Sequence, residues 1–227
     1  AKDIEKTLAD NGLWHLEQSY MPTMLRNNSY DTICHEHLEY YSLTSIEYIL
    51  NKANLRIIDI SLNSINGGSF AITVSKKKSN IKANIDILKW MKNEEKKLNL
   101  RNIKTYLNFY DKIKNQSMAL KKLLINLKKN KKKVVGYGAS TKGNVILQHA
   151  KINEKLLPFI LDVNKFKFGR YTPGSKIKII DERQLSRIKP DYLLVLPWHF
   201  KDFILKKEKK FLKNNKIIFP LPEVEIY

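Results

Sequence analysis

Arginine is scarce in this chain: only six of the 42 basic side chains are Arg. Acidic residues are also outnumbered, 22 against 42, for a formal net charge of +20. Such an excess invites a nucleic-acid partner. Arg, however, is the residue best suited to base edges and bidentate phosphate contacts, and here the excess is Lys spread along a chain rich in Ile and Asn. The densest run, residues 128–133, lies between two segments, where a solvated helix end is the ordinary reading. A basic nucleic-acid binder is therefore the weaker alternative, and no nucleic-acid partner is expected; a basic surface equally suits an anionic small molecule. The single cysteine, Cys34, excludes an internal disulfide and points to a reducing, cytoplasmic setting. No apolar run is long enough to span a bilayer and no leader peptide is recognisable, so no membrane association is expected.

Glycine and proline are few as well, eight and seven, so the positions where they gather carry information. Asn11-Gly12 closes a first helix over 1–12, and 13–18 reads as a short strand. Residues 20–28, with Pro22, suggest a loop or broken helix. A helix over 45–53 precedes two β-rich runs, 56–62 and 69–76, joined through Asn66-Gly67-Gly68. Residues 81–130 contain neither Gly nor Pro and show helical spacing, predicting two long helices with a break near 99–102. From Lys133 onward strands alternate with helices: strand 134–137, helix 144–151, strand 159–162, helix 182–188, strand 192–196, helix 201–214 and strand 217–219. This alternation predicts an α/β fold with a mostly parallel, doubly wound sheet. Ligands in such sheets bind beyond the carboxyl ends of the strands, which here carry the glycine turn, Asp162-Val163-Asn164, Pro197-Trp198-His199 and Pro220-Leu221-Pro222.

Two stretches hold chemistry. Residues 30–43 gather two of the five histidines, Glu36 and Glu39 besides Asp31, the only cysteine and three tyrosines. A packed core makes little use of that mixture, because each buried polar group needs a partner; proton transfer near neutral pH uses it readily. His35 and His37 would share one face of an extended segment. They supply only two ligands, so no metal is expected. Packing and hydrogen bonding are the expected role of His35. The second stretch is Gly136-Tyr137-Gly138-Ala139-Ser140-Thr141-Lys142-Gly143-Asn144, an apolar strand entering a glycine turn. The third glycine falls late for a dinucleotide fingerprint and the Walker spacing is absent. Glycines nonetheless let backbone approach an anion, and a helix N-terminus presents free N–H groups. A diphosphate-bearing ligand is the reading favoured here, against a tight turn chosen for packing. Asp162 stands where a ribose-binding acid stands in such folds.

These two stretches, with Asn66-Gly67-Gly68-Ser69, Gly169-Arg170-Tyr171-Thr172-Pro173-Gly174 and Leu196-Pro197-Trp198, occur together and in order. In this they resemble the S-adenosylmethionine-dependent C-methyltransferases that act on nucleotide-linked deoxysugars, over nearly the whole chain. Members of that family have an N-terminal zinc-binding segment with clustered cysteines, a methyltransferase domain and a C-terminal Rossmann-like domain. The cysteine cluster and the glycine-rich S-adenosylmethionine loop have no counterpart here. The resemblance therefore implies a C-terminal part: 1–80 as the closing portion of the class I methyltransferase sheet, 81–131 as a helical connector, and 132–227 as a Rossmann-like nucleotide-sugar-binding domain. On that footing S-adenosylmethionine is the cofactor, its site largely outside this chain, zinc belongs only to the segment that would precede it, and the chain alone is not expected to be active.

The resemblance further implies a mechanism. Methylating a carbon requires an enolate, formed by removing a proton beside a ketone with a base of near-neutral pKa and donors for the developing oxyanion. By similarity His37 is the base and Glu36 orients the substrate or the base. Cys34 stands where sugar methyltransferases usually carry Tyr, and Asn66 where they often carry His; the Tyr role would pass to Tyr40, Tyr41 or a water. Gly138, Ser140, Lys142, Asp162, Arg170 and Trp198 would bind the nucleotide sugar, a small-molecule partner. A non-catalytic nucleotide- or diphosphate-binding module is the alternative.

Overall fold

The computed structural model describes residues 1–227, the side chain of Asn66 excepted; the Asn66 position noted above thus lies outside the described side chains. The chain divides into two compact units, one of residues 1–26 and 39–108, the other of residues 27–38 and 109–227.

The first unit contains helix α1 (Lys2–Thr7), strand β1 (Trp14–Ser19), helix α2 (Met21–Arg26), helix α3 (Leu43–Lys52), strands β2 (Leu55–Asn63) and β3 (Ser69–Lys76), and helix α4 (Ile85–Leu98). Its sheet has the order β1-β3-β2, with β3 antiparallel to both neighbours. β3 occupies the centre because Phe70, Ile72 and Val74 are fully buried, and they pack with Leu43, Leu50 and Met91 into one core. The β2–β3 connection requires glycine at 68: φ is +130°, and a Cβ there would collide with the Thr23 side chain. Ser42 and Ser45 form a reciprocal capping box at the start of α3, which satisfies orphan N–H groups of the first turn. Glu95 of α4 completes that end. It is 4% exposed and accepts from the Leu43 N–H at 2.5 Å, the Thr44 N–H at 3.1 Å, the Thr44 hydroxyl at 2.7 Å and the Tyr20 hydroxyl at 2.9 Å.

Helix α5 (Ile103–Lys129) leads into the second unit, from Phe109 onward. That unit continues with β4 (Val134–Tyr137), α6 (Thr141–His149), β5 (Phe159–Asp162), β6 (Lys178–Asp181), α7 (Leu185–Ile188), β7 (Tyr192–Val195), α8 (Lys201–Lys207), β8 (Lys216–Phe219) and β9 (Glu225–Ile226). The sheet order is β6-β5-β4-β7-β8-β9, the first five strands parallel and β9 antiparallel. The fold is thus α/β and Rossmann-like. The strand order reverses between β4 and β7, which makes their carboxyl ends the natural ligand crevice.

Several elements differ from the sequence expectation. The first helix stops at Thr7, and 20–28 contains the regular helix α2. α6 begins at Thr141 because Ser140 caps it, its side chain accepting the Gly143 N–H at 3.0 Å. The single helix expected over 201–214 is α8 followed by a separate 3-10 turn, Phe211–Lys213. Like charges four apart, Lys206 with Lys210 and Lys209 with Lys213, disfavour one continuous helix. Strands β6 and β9 add to the expected set.

Candidate active site

Residues 27–38, which carry the His-Glu-His motif, belong to the second unit. Four anchors hold this segment there. The Tyr30 hydroxyl donates to Gln116 Oε1 of α5 at 3.0 Å and lies 3.3 Å from Ser117 Oγ; burial pushes its pKa up to about 12. Its ring lies 5.3 Å from that of His149 of α6. The Trp198 indole N–H donates to Asp31 Oδ2 at 2.8 Å. The Thr141 hydroxyl donates to Glu36 Oε1 at 3.0 Å.

The last contact joins the two stretches singled out in the sequence. Thr141 is the first residue of α6, immediately after the glycine turn, and Lys142 follows it. The half-buried Lys142 ammonium sits in the field of Asp31, Cys34 and Glu36. Burial lowers its proton affinity, and those three groups oppose the shift. Asp31 is 1% exposed. Burial raises its pKa, which the Trp198 indole and Lys142 partly offset. His199, next to Trp198, is depressed to about 4 by burial and by the charge of Lys142.

Four buried side-chain atoms here have no hydrogen-bond partner among the described residues: Asn28 Oδ1, Ser29 Oγ, Asp31 Oδ1 and His199 Nδ1. All lie on the two segments that the Asp31–Trp198 bond ties together. Buried polar atoms normally find partners, so this group marks a place where a polar ligand or ordered water completes the structure.

The histidines differ from expectation. Cys34 to His37 form a turn, closed by the His37 N–H on the Cys34 carbonyl at 3.1 Å, so His35 and His37 do not share the face of an extended segment. His35 is exposed, against the expectation of packing and hydrogen bonding. His37 is half-buried and Cys34 partly buried.

On the rim, Gly138 (φ +81°) is needed because Pro197 would lie 2.6 Å from a Cβ. Beside it opens a mainly apolar cavity of about 420 Å³, lined by Tyr137, Gly138, Asp162, Val163, Pro197, Phe200 and Phe203 among others. Thus the carboxyl ends of β4, β5 and β7 carry two neighbouring features: a polar pole around Lys142 and an aromatic hollow.

Comparison with known proteins bears on what this rim does. Residues 64–222 match the family described as the C-methyltransferase C-terminal domain. The chain is 31% identical over 224 residues to the C-methyltransferase NovU of Streptomyces niveus. The chain belongs to the C-methyltransferase family. The match covers 98% of the chain and 53% of NovU, so the chain spans about half the length of this relative.

Within the C-methyltransferase chain, the candidate residues separate into groups. Cys34, Glu36, His37, Lys142 and Trp198 lie on the segments just described. Tyr40 and Tyr41 fall in the first unit, where Tyr40 lines a cavity with Ser42 and Lys92 and the Tyr41 hydroxyl donates to Glu39. Asp162 directs both oxygens inward: Oδ2 takes the Ala139 N–H at 2.8 Å and Lys167 at 3.3 Å, and Oδ1 takes the Asn164 N–H at 2.7 Å. It thereby fixes the glycine turn. Ser140 caps α6, and Arg170 is exposed, its Nε donating to the Phe166 carbonyl at 2.8 Å. Sequence reasoning places Asp31, Thr141 and His199 on the right stretches without giving any of them a site role. Asp31 has a signal, lying inside the polar stretch; the other two are visible as site residues only through their contacts.

The glycine turns at 68, 138 and 143 do not fit the methyl donor. Gly68 is closed by Thr23, Gly138 by Pro197, and Gly143 by Leu196, whose Cβ lies 2.8 Å from where a Cβ on Gly143 would stand. None of these turns offers an open cradle for S-adenosylmethionine, and the chemistry assigned to this chain rests on its own side chains.

Proposed function

We propose that this chain is the acceptor-binding and proton-abstracting part of an S-adenosylmethionine-dependent, cytoplasmic C-methyltransferase whose substrate is a keto deoxysugar carried on a nucleoside diphosphate. One observation carries the reading: Thr141 bonds Glu36, bringing a His-bearing turn to the start of α6 in a Rossmann-like unit. His37 is the general base, removing a proton from the carbon beside the ketone, and Glu36, oriented by Thr141, holds a substrate hydroxyl or amine. The basic 165–170 loop at the same rim supports the diphosphate, since Glu36 already meets Thr141 at the start of α6. The hollow lined by Phe200 and Phe203 suits the flat face of a nucleobase, since aromatic rings stack favourably.

Two experiments test this. In the protein expressed from its complete reading frame, His37→Asn retains nucleotide-sugar binding and loses methyl transfer by about 100-fold or more, the usual contribution of a positioned base; near-wild-type turnover overturns the assignment. Calorimetry with thymidine and uridine diphosphates reports binding to the second unit's rim. Absence of heat at millimolar ligand rejects the nucleotide reading, and binding without methyl transfer favours a non-catalytic nucleotide-binding module.

A further inference from the structure

Resting on that reading, we propose that Lys142 is a catalytic residue that donates a hydrogen bond to the substrate's keto oxygen as the enolate forms, and that Asp31 is the residue that positions it.

Cys34 occupies the place where the resemblance leads one to expect a hydroxyl donor, and a thiol is a weak donor. Of the other candidate hydroxyls, Tyr41 already donates to Glu39 and Tyr40 lines a cavity with Ser42 and Lys92. On the segments that carry the motif, the strong donor is Lys142: it follows Thr141, whose hydroxyl meets Glu36 at 3.0 Å, on a helix that packs against the Tyr30–Thr32 turn. Its surroundings favour one kind of ligand. A diphosphate brought to this ammonium would meet the Glu36 carboxylate and, when ionised, that of Asp31. Like charges so placed repel. A ketone arrives neutral and becomes anionic only in the transition state, so the ammonium acts most strongly when charge develops, which is what accelerates a step. Partial burial strengthens the interaction and makes the ammonium a better donor.

Asp31 supplies the fixed point. The Trp198 indole occupies Oδ2 at 2.8 Å, Oδ1 has no hydrogen-bond partner among the described residues, and the side chain is 1% exposed. When ionised, a carboxylate so held attracts the Lys142 ammonium and opposes the loss of proton affinity that burial causes. The step balances simply. A His37 ring nitrogen takes the proton, the C–H electron pair forms the carbon–carbon double bond, and the carbonyl π pair moves to the oxygen that Lys142 faces.

Solvent deuterium exchange reads this step without the methyl donor. Thymidine diphosphate-4-keto-6-deoxyglucose is incubated in D₂O with the protein from its complete reading frame, and loss of the proton beside the ketone is followed by NMR. Lys142→Met is expected to slow exchange by about 100-fold or more, as for loss of one oxyanion donor, with thymidine diphosphate affinity within about twofold of wild type. Lys142→Arg keeps a cation and a melting temperature near wild type, and retains a measurable part of the exchange. Asp31→Asn lowers the exchange rate at saturating substrate, leaves KM in place, and leaves the fold intact by melting. Wild-type exchange rates in folded Lys142→Met, or a tenfold loss of diphosphate affinity with unchanged turnover, overturn the Lys142 role. Exchange and KM both unchanged in Asp31→Asn overturn the positioning role. A wild-type protein that neither exchanges nor methylates removes the proposed function itself, and the Lys142 role with it.

Discussion

Glu95 and Asp31 are the most deeply buried carboxylates of the first and second units, 4% and 1% exposed, and their surroundings are opposite. Glu95 takes four donors, two of them backbone N–H groups at the start of α3. Asp31 takes one side-chain donor, the Trp198 indole, and keeps an oxygen without a hydrogen-bond partner among the described residues. A buried acid whose acceptor sites are filled serves the architecture. One held by a single side-chain donor keeps acceptor capacity that the fold itself does not use. The difference separates a carboxylate satisfied by its own fold from one whose acceptors are only partly used.

The largest expected effect tests the first half of that contrast. Glu95→Ala should destabilise the first unit by roughly 3–5 kcal/mol in urea unfolding, because it strands the Leu43 and Thr44 donors in a buried place. Asp31→Asn should change stability by less than about 1 kcal/mol, since asparagine still accepts the indole and removes a buried charge. Comparable losses in both would erase the distinction.

Next in size is a pH effect. His199 is depressed to about 4 from an ordinary 6.5, so between those values the unfolded chain binds the extra proton and stability rises with pH. After allowance for solvent screening the gain is about 2 kcal/mol, complete above pH 6.5. Asp31 has the opposite sign. Its folded pKa lies above 3.8, the folded state holds the extra proton, and stability falls as pH rises from 3.8 through the raised value. Subtracting the Asp31→Asn curve from wild type should isolate that descending limb, and a flat difference would contradict the burial argument.

Smaller still, Trp198→Phe should cost about 1–2 kcal/mol by leaving Asp31 without its donor, and its effect should shrink in an Asp31→Asn background. Smallest is Thr141→Val, about 0.5 kcal/mol in stability because the Glu36 bond is exposed to water, with a several-fold loss of methyl transfer. No loss of activity would make the Thr141–Glu36 contact incidental.

Much of the architecture was legible in the sequence because apolar periodicity and glycine turns are local signals. The two long helices break where Asn99 adopts a left-handed conformation, φ 51°, within the Gly- and Pro-free stretch whose spacing predicts that break. β6 escaped because four residues beginning with an exposed lysine give too short an alternation, and β9 because it is two residues paired at an edge. In the site, His37, Glu36 and Lys142 stood out by residue type. Asp31, Thr141 and His199 did not, because what distinguishes them is burial and partnership across long separations. The pairing of 27–38 with the second unit rests likewise on such contacts, with Gln116, Thr141 and Trp198, that no local pattern encodes.

The Asp31–Trp198 bond joins residues 167 positions apart, and that separation has a temporal meaning. At ribosomal speeds of about 5–20 residues per second, the His-Glu-His segment leaves the tunnel roughly 10–30 s before Trp198 is made. Its first hydrogen-bonding anchors, Gln116 and Thr141, arrive earlier, so the nascent segment docks in stages. Chains truncated just before the Leu196-Pro197-Trp198 loop would carry the motif while lacking its final clamp. Such nascent chains should remain open to protease at residues 27–38 until synthesis passes that loop.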